Sequence, residues 1–225
     1  MQSIAWRSKS IKPIEKFKMK KNYSYIGITF VILIFGIWAV PKIVDHFSEP
    51  DMAVIGEVPP FNFTNQNGNA ISNSDYSGKV YVAEFFFTTC PSICPIMNRN
   101  MVIIQDEFYG NPNLGFASFS IDPAYDTPQV LKQYAENYKI TSPNWHLLTG
   151  DKEEIFKLAN EGFNLYVGEA SEVEGGFEHS GFFALIDQDG KIRSRYDENG
   201  NPVIYYDGLE AEGIAMLIED IKKLL

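Results

Sequence analysis

The chain has 225 residues, 45% of them hydrophobic, enough for one sizeable core, and a formal net charge of −10. The charge is unevenly spread: residues 1–22 carry Arg7, Lys9, Lys12, Lys16, Lys18, Lys20 and Lys21 against Glu15 alone, which leaves the remainder strongly acidic. So acidic a body repels phosphates, which argues against nucleic-acid binding and suits a cationic partner or a metal cation.

Residues 1–22 form a basic tail, and Tyr23 to Val40 follows without a single charge. As a helix that stretch spans about 27 Å, just enough to cross a hydrocarbon core of roughly 30 Å with Tyr and Trp at its margins, so 23–40 is predicted to be a single transmembrane helix. Basic residues before it and Asp45, Glu49 and Asp51 after it place the N-terminus in the cytoplasm and the body outside the cell membrane, in the periplasm of a Gram-negative cell. A cleaved signal peptide fits less well, because the apolar run is long and only Ala39 offers a weak cleavage site. Residues 41–58, proline-punctuated and charged, read as a tether, and 59–225 as the folded domain.

At the start of that domain, Val58–Thr64 and Asn67–Ser72 read as an N-terminal β-hairpin with Asn67-Gly68 at its turn. Val80–Phe87 is an apolar run expected to be a buried strand, and Ile96–Phe108 repeats at helical spacing. Leu114–Asp122 is a second strand; Asp126-Thr127-Pro128 supplies a helix cap and a first-turn proline for 129–138. Trp145–Gly150 is a short strand, Asp151–Asn160 a helix, Phe182–Asp187 and Lys191–Tyr196 a hairpin, and Gly208–Leu225 an amphipathic helix. Strands alternating with helices, then a hairpin and a helix, predict an α/β domain, and a cysteine pair between the first core strand and its helix makes that domain thioredoxin-like.

Both cysteines, Cys90 and Cys94, lie at that strand-to-helix junction. Unpaired N–H groups and the positive dipole end of a helix favour thiolate, which is the nucleophile and the metal ligand alike. Four positions apart, the two would share a helix face if Cys90 were already helical, with sulfurs able to bond to each other or to grip one soft ion. A purely structural disulfide is a weak explanation, because so small a ring removes only about 2 kcal/mol of unfolded-state entropy. Asp122 and Asp126 follow the second strand, at the sheet end where α/β proteins bind ligands, although a turn former and a helix cap account for them as well. Met97 and Met101, four apart on a helix, read as core; His46 falls in the tether and His146 in a packed or surface strand.

Four blocks carry a wider pattern: Phe-Phe-Thr-Thr-Cys-Pro-Ser-Ile-Cys-Pro at 86–95, Ser-Ile-Asp-Pro-Ala-Tyr-Asp-Thr-Pro at 120–128, Trp-His-Leu-Leu-Thr-Gly at 145–150 and Glu-His-Ser-Gly-Phe-Phe-Ala-Leu-Ile-Asp at 178–187. In this order, behind one N-terminal anchor, they resemble the Sco/SenC family of membrane-anchored copper proteins. The resemblance runs from about Pro59 to the end. It implies a thioredoxin fold, copper held by two cysteines and one histidine, and a part in assembling the binuclear copper centre of cytochrome c oxidase. The implied ligands are Cys90, Cys94 and His179, the last in a Gly-rich segment, 175–181, expected to be a mobile loop.

Two functions are expected from this site. One is a metallochaperone, not an enzyme in the turnover sense, carrying Cu(I) or Cu(II) to the copper-accepting subunit of the oxidase, with other periplasmic copper carriers or thiol reductases as further partners. The other is a thiol–disulfide oxidoreductase, with Cys90 and Cys94 as the redox pair, that reduces the oxidase's copper-site cysteines. Three intervening residues instead of two, and a His-Ser where thioredoxins carry a cis-proline, favour the first.

Overall fold

A computed structural model of the protein describes residues 24–47, 52–170 and 176–225. The chain separates into two compact units, Met1–Glu49 and Pro50–Leu225. The first contains helix α1, Ser24–Phe47, whose backbone runs on past Pro41 into the stretch expected to be tether. Side chains are described for 27–40, about 21 Å of helix, and they are almost all apolar and exposed. Among the described residues no helix is long and apolar enough to cross a membrane. The basic tail 1–22 and Tyr23 lie outside the described residues.

The second unit opens earlier than expected. Strand β1, Ala53–Glu57, pairs antiparallel with β10, Lys191–Ser194, so the sheet begins inside the stretch 41–58 that reads as tether. Its five residues include Gly56 and a register shift between Val54 and Gly56, which erases the alternation that marks a strand. Next comes the predicted hairpin, β2 (Asn62–Asn65) and β3 (Ala70–Ser72). Gly68 supplies the left-handed turn residue at φ +78°, and Asn65 Oδ1 accepts from the N–H groups of Asn67 and Asn69.

After a one-turn helix α2 (Asn73–Tyr76), strand β4 (Val80–Phe86) and strand β5 (Leu114–Ser120) run parallel, joined by helix α3 (Cys94–Glu107). Every residue of both strands is buried, the signature of parallel strands covered on both faces. Helix α4 (Pro128–Tyr138) leads to β6 (Trp145–Thr149), parallel to β5, and then to α5 (Lys152–Lys157), which Asp151 caps through the Glu154 N–H. The predicted continuation to Asn160 exists as a π turn, Leu158–Gly162. The short pair β7 (Val167–Glu169) and β8 (Phe177–His179) precedes β9 (Phe182–Ile186), β10, β11 (Tyr206–Asp207) and helix α6 (Ala211–Leu224).

The sheet order is β1-β10-β9-β4-β5-β6-β2-β3 with β9 antiparallel to β4, so β4-α3-β5 and β9-β10-α6 make the expected thioredoxin-like α/β core. The β2–β3 hairpin is tied to that core by rings, Phe61 edge-on to Phe119 at 5.3 Å and Phe119 stacked on Phe85 at 5.3 Å. At the other end, fully buried Asp220 on α6 accepts from Arg195 Nε (2.7 Å), Tyr206 Oη (2.8 Å) and Lys223 Nζ (2.6 Å).

Helix α6 seats against the chain before it through Gly213, where a Cβ would stand 2.2 Å from the Asp207 carbonyl oxygen. Alanine is the better helix former by about 1 kcal/mol, but a backbone clash of this kind costs about 1–3 kcal/mol, so the clash decides the sign. Gly213→Ala is therefore expected to lower the urea midpoint; a raised midpoint would mean that α6 shifts freely on the sheet.

Candidate metal centre

Strand β4 delivers the chain, fully buried, to Phe86, and α3 begins eight residues later at Cys94 with Pro95 in its first turn, where a missing N–H costs nothing. Cys90 lies outside the helix, with its N–H directed at the Phe87 carbonyl at 3.3 Å. The two sulfurs therefore do not share a helix face: a turn through 91–93 folds them toward each other. Both are free thiols, Cys94 fully buried and Cys90 8% exposed.

His179 ends strand β8, paired with Val167 across from it, so it is held in a hairpin, and the loop expected at 175–181 is in part a strand. Its ring meets the Phe87 ring edge-on at 5.8 Å, and Nε2 stands 3.1 Å from Cys94 Sγ. Nδ1 lies 3.1 Å from the Ser180 carbonyl oxygen, an acceptor only, so Nδ1 carries the hydrogen and the Nε2 lone pair faces the sulfurs. Cys90 Sγ, Cys94 Sγ and a ring nitrogen of His179 all lie within 4.8 Å of one another, a group able to hold one metal ion. They stand at a cleft of about 340 Å³ lined by Phe87, Cys90, Ile93, Tyr166, Phe177 and His179.

The two sulfurs are electrostatically unlike. A hydrogen bond from Cys94 holds Cys90 far below the usual thiol range, with burial opposing. The same bond, then burial and the charge on Cys90, pushes Cys94 far up. One proton is thus kept on the inner sulfur while the outer one is a thiolate.

A second carboxylate belongs to the neighbourhood although nothing marked it in the sequence except its place in an apolar strand. Glu84 is fully buried on β4, accepts from Ser118 Oγ at 2.7 Å, and is pushed by burial up to about 7, with the Ser118 bond and His179 pulling it back. Ser118 in turn accepts from Trp145 Nε1 at 3.0 Å. Asp126 is also fully buried and is not a helix cap: Thr127 caps α4, and Asp126 turns inward to accept from Thr88 and Ser120. Asp122 supplies backbone, its carbonyl accepting from the N–H groups of Tyr125 and Asp126. Met97 and Met101 are core residues, and His146 pairs with Asn65 and packs on Tyr76, apart from the Cys90–Cys94–His179 group. The side chain of His46 lies outside the described residues.

A thioredoxin-like sheet whose first core strand feeds a dithiol at a helix start, with a histidine from the hairpin opposite, defines a protein of thiol and soft-metal chemistry. Residues 53–212 match the SCO1/SenC family, and the chain belongs to it. The SCO1 protein homolog of Bacillus subtilis is 38% identical over 143 residues, covering 63% of this chain and 74% of its own. The structure of BsSco, a member of the Sco family of cytochrome c oxidase assembly proteins with a disulfide switch, superposes with a TM-score of 0.64 at 33% identity over 75% of this chain and 93% of its own. Yeast Sco1 with copper bound does so with a TM-score of 0.57 at 26% identity, over 76% and 91%.

The asymmetry of the sulfurs has a chemical readout. At pH 6 an ordinary thiol is less than about 1% thiolate, so alkylation there should modify Cys90 rapidly and leave Cys94 intact. Peptide mass spectrometry after a timed iodoacetamide pulse checks this; equal labelling would refute the shared-proton arrangement.

Proposed function

We propose that this protein binds one copper ion through Cys90, Cys94 and His179 and delivers it to the copper-accepting subunit of cytochrome c oxidase. The observation that carries this reading is the convergence of two sulfurs and an imidazole nitrogen within 4.8 Å of one another. Two soft sulfurs suit Cu(I), and an added imidazole lets the site retain Cu(II). Three ligands at an open cleft leave room for an acceptor's ligands to enter, whereas zinc in a structural site takes a fourth protein ligand. The copper-bound yeast relative supports the same reading.

The chain's own contribution is to prepare donors. The Ser180 carbonyl fixes the His179 tautomer, the Cys94 proton stays beside Cys90 until an ion displaces it, and Phe87 and Phe177 wall the ligands off on one side. Serine at Cys90 or Cys94 is expected to abolish tight Cu(I) binding in a chelator competition. His179→Ala should keep Cu(I) on two sulfurs yet lose the Cu(II) absorption bands; unchanged bands would require another nitrogen ligand.

A second reading, reduction of the acceptor's disulfide, is favoured by one observation, the thiolate at Cys90 beside a protonated Cys94. Cys90 would attack the disulfide, releasing one thiolate, and Cys94, on losing its proton, would displace the other and close a Cys90–Cys94 disulfide, so that two electrons pass. Oxidase assembly in a strain lacking the protein separates the two. Rescue by added copper supports delivery, while rescue by added thiol alone, together with an active His179→Ala protein, supports reduction.

We also place the protein at the cell membrane, held by the apolar segment 23–40 with the N-terminus cytoplasmic and the body outside. The charge-free run between a basic tail and an acidic stretch supports this orientation. A reporter active only in the cytoplasm, fused after Leu225, should be silent; strong signal would overturn the orientation.

A further inference from the structure

Cys90 sits on a connection, residues 87–93, that belongs to neither β4 nor α3, and its own backbone tie to Phe87 is long at 3.3 Å. Two residues earlier the same connection is gripped firmly. The Thr88 N–H donates to Asp126 Oδ2 at 3.1 Å, and the Thr88 hydroxyl donates to Asp126 Oδ1, so both polar arms of one residue meet both oxygens of one carboxyl group. The carboxyl group is itself seated on the neighbouring strand end, accepting from Ser120 Oγ at 2.5 Å, while the Asp126 backbone N–H donates to the Asp122 carbonyl at 2.9 Å. Ser120 Oγ also accepts from the Asp122 N–H at 3.2 Å. Asp126 is fully buried, so these bonds are made where water does not compete.

Three donors converge on Asp126, and its two carboxyl oxygens accept them all; an amide could keep two of them on its oxygen only with its NH₂ group turned to the Thr88 hydroxyl, which would then accept instead of donate. Forked bonds to Thr88 fix not only the height of the connection above the sheet but its rotation, which is what aims the next residues. A single bond would leave that rotation free.

We propose that Asp126 is the positioning residue for the outer thiolate: by clamping Thr88 to the end of β5, it sets where Cys90 Sγ stands relative to Cys94 and His179. Asp126 makes no hydrogen bond to Cys90, Cys94 or His179 and acts through the chain. The copper part of this inference rests on the function proposed above; the geometry of the two sulfurs does not.

The test compares variants of the whole protein in two measurements, Cu(I) affinity against a chelator and the equilibrium of the Cys90–Cys94 pair with glutathione in the metal-free protein. Thr88→Val and Asp126→Ala should each weaken Cu(I) binding by about tenfold or more, the size usual for groups that orient ligands, and shift the glutathione equilibrium. Thr88→Ser, which keeps both donors, should behave as wild type. Gly213→Ala, expected above to lower stability through α6 and touching none of these groups, should leave both site measurements unchanged. Wild-type values in Thr88→Val overturn the proposal, as does an equal loss in Gly213→Ala, which would mean that the site measurements only follow overall stability. If Asp126→Ala does not fold, the contrast between Thr88→Val and Thr88→Ser decides alone. Should the wild-type protein take up no copper, the copper reading fails and the glutathione equilibrium still decides the role of Asp126.

Discussion

Strand β4 has protein on every side: β5 and β9 flank it, and both of its faces are covered. A strand so enclosed cannot slip by a residue without exchanging its two buried faces, so its register is among the most strongly determined features of the fold. Everything at the site follows from where it ends. The connection after Phe86 must cross the top of the sheet to reach α3, and its neighbours there are the ends of β5 and the β7–β8 hairpin. The cysteines occupy that crossing, and the residues that meet them, His179 and Asp126, come from the segments that border it.

The same enclosure produces the chemical asymmetry. Cys94 lies on the buried face of the first turn of α3 and Cys90 on the rim of a cleft, so two identical side chains four positions apart face different media. Burial penalises charge on the inner sulfur, and the proton it retains stabilises charge on the outer one. A site built this way presents one ready nucleophile or ligand and holds the second in reserve, a property that serves metal capture and disulfide exchange alike.

What could be read from the chain beforehand follows the range of the forces involved. The buried run 80–87, the Asn67-Gly68 turn, the Pro128 helix start and the amphipathic last helix are local patterns, and the structure keeps each within a few residues. The cysteine pair announced itself by address and spacing, and His179 by the family pattern around it. Other features depend on partners distant in sequence. Strand β1 exists because β10 pairs with it, and β7 and β8 are three-residue strands that only each other's hydrogen bonds define. Asp126 has the composition of a cap, and only the return of Thr88 from 38 positions away shows it to be a clamp. Glu84 was hidden differently: a lone carboxyl group in an apolar run signals a buried partner, but Ser118 becomes that partner only through the parallel register of β4 and β5.

The placement of β1 also bears on mechanics. Any pull applied to the chain ahead of Met52 enters the sheet at its edge strand, and β10 and β9 stand between that strand and β4. The β1–β10 ladder is interrupted by its register shift, so it can yield in steps instead of passing force inward. Tension from that side therefore reaches the edge of the sheet three strands away from the one that leads to the two sulfurs.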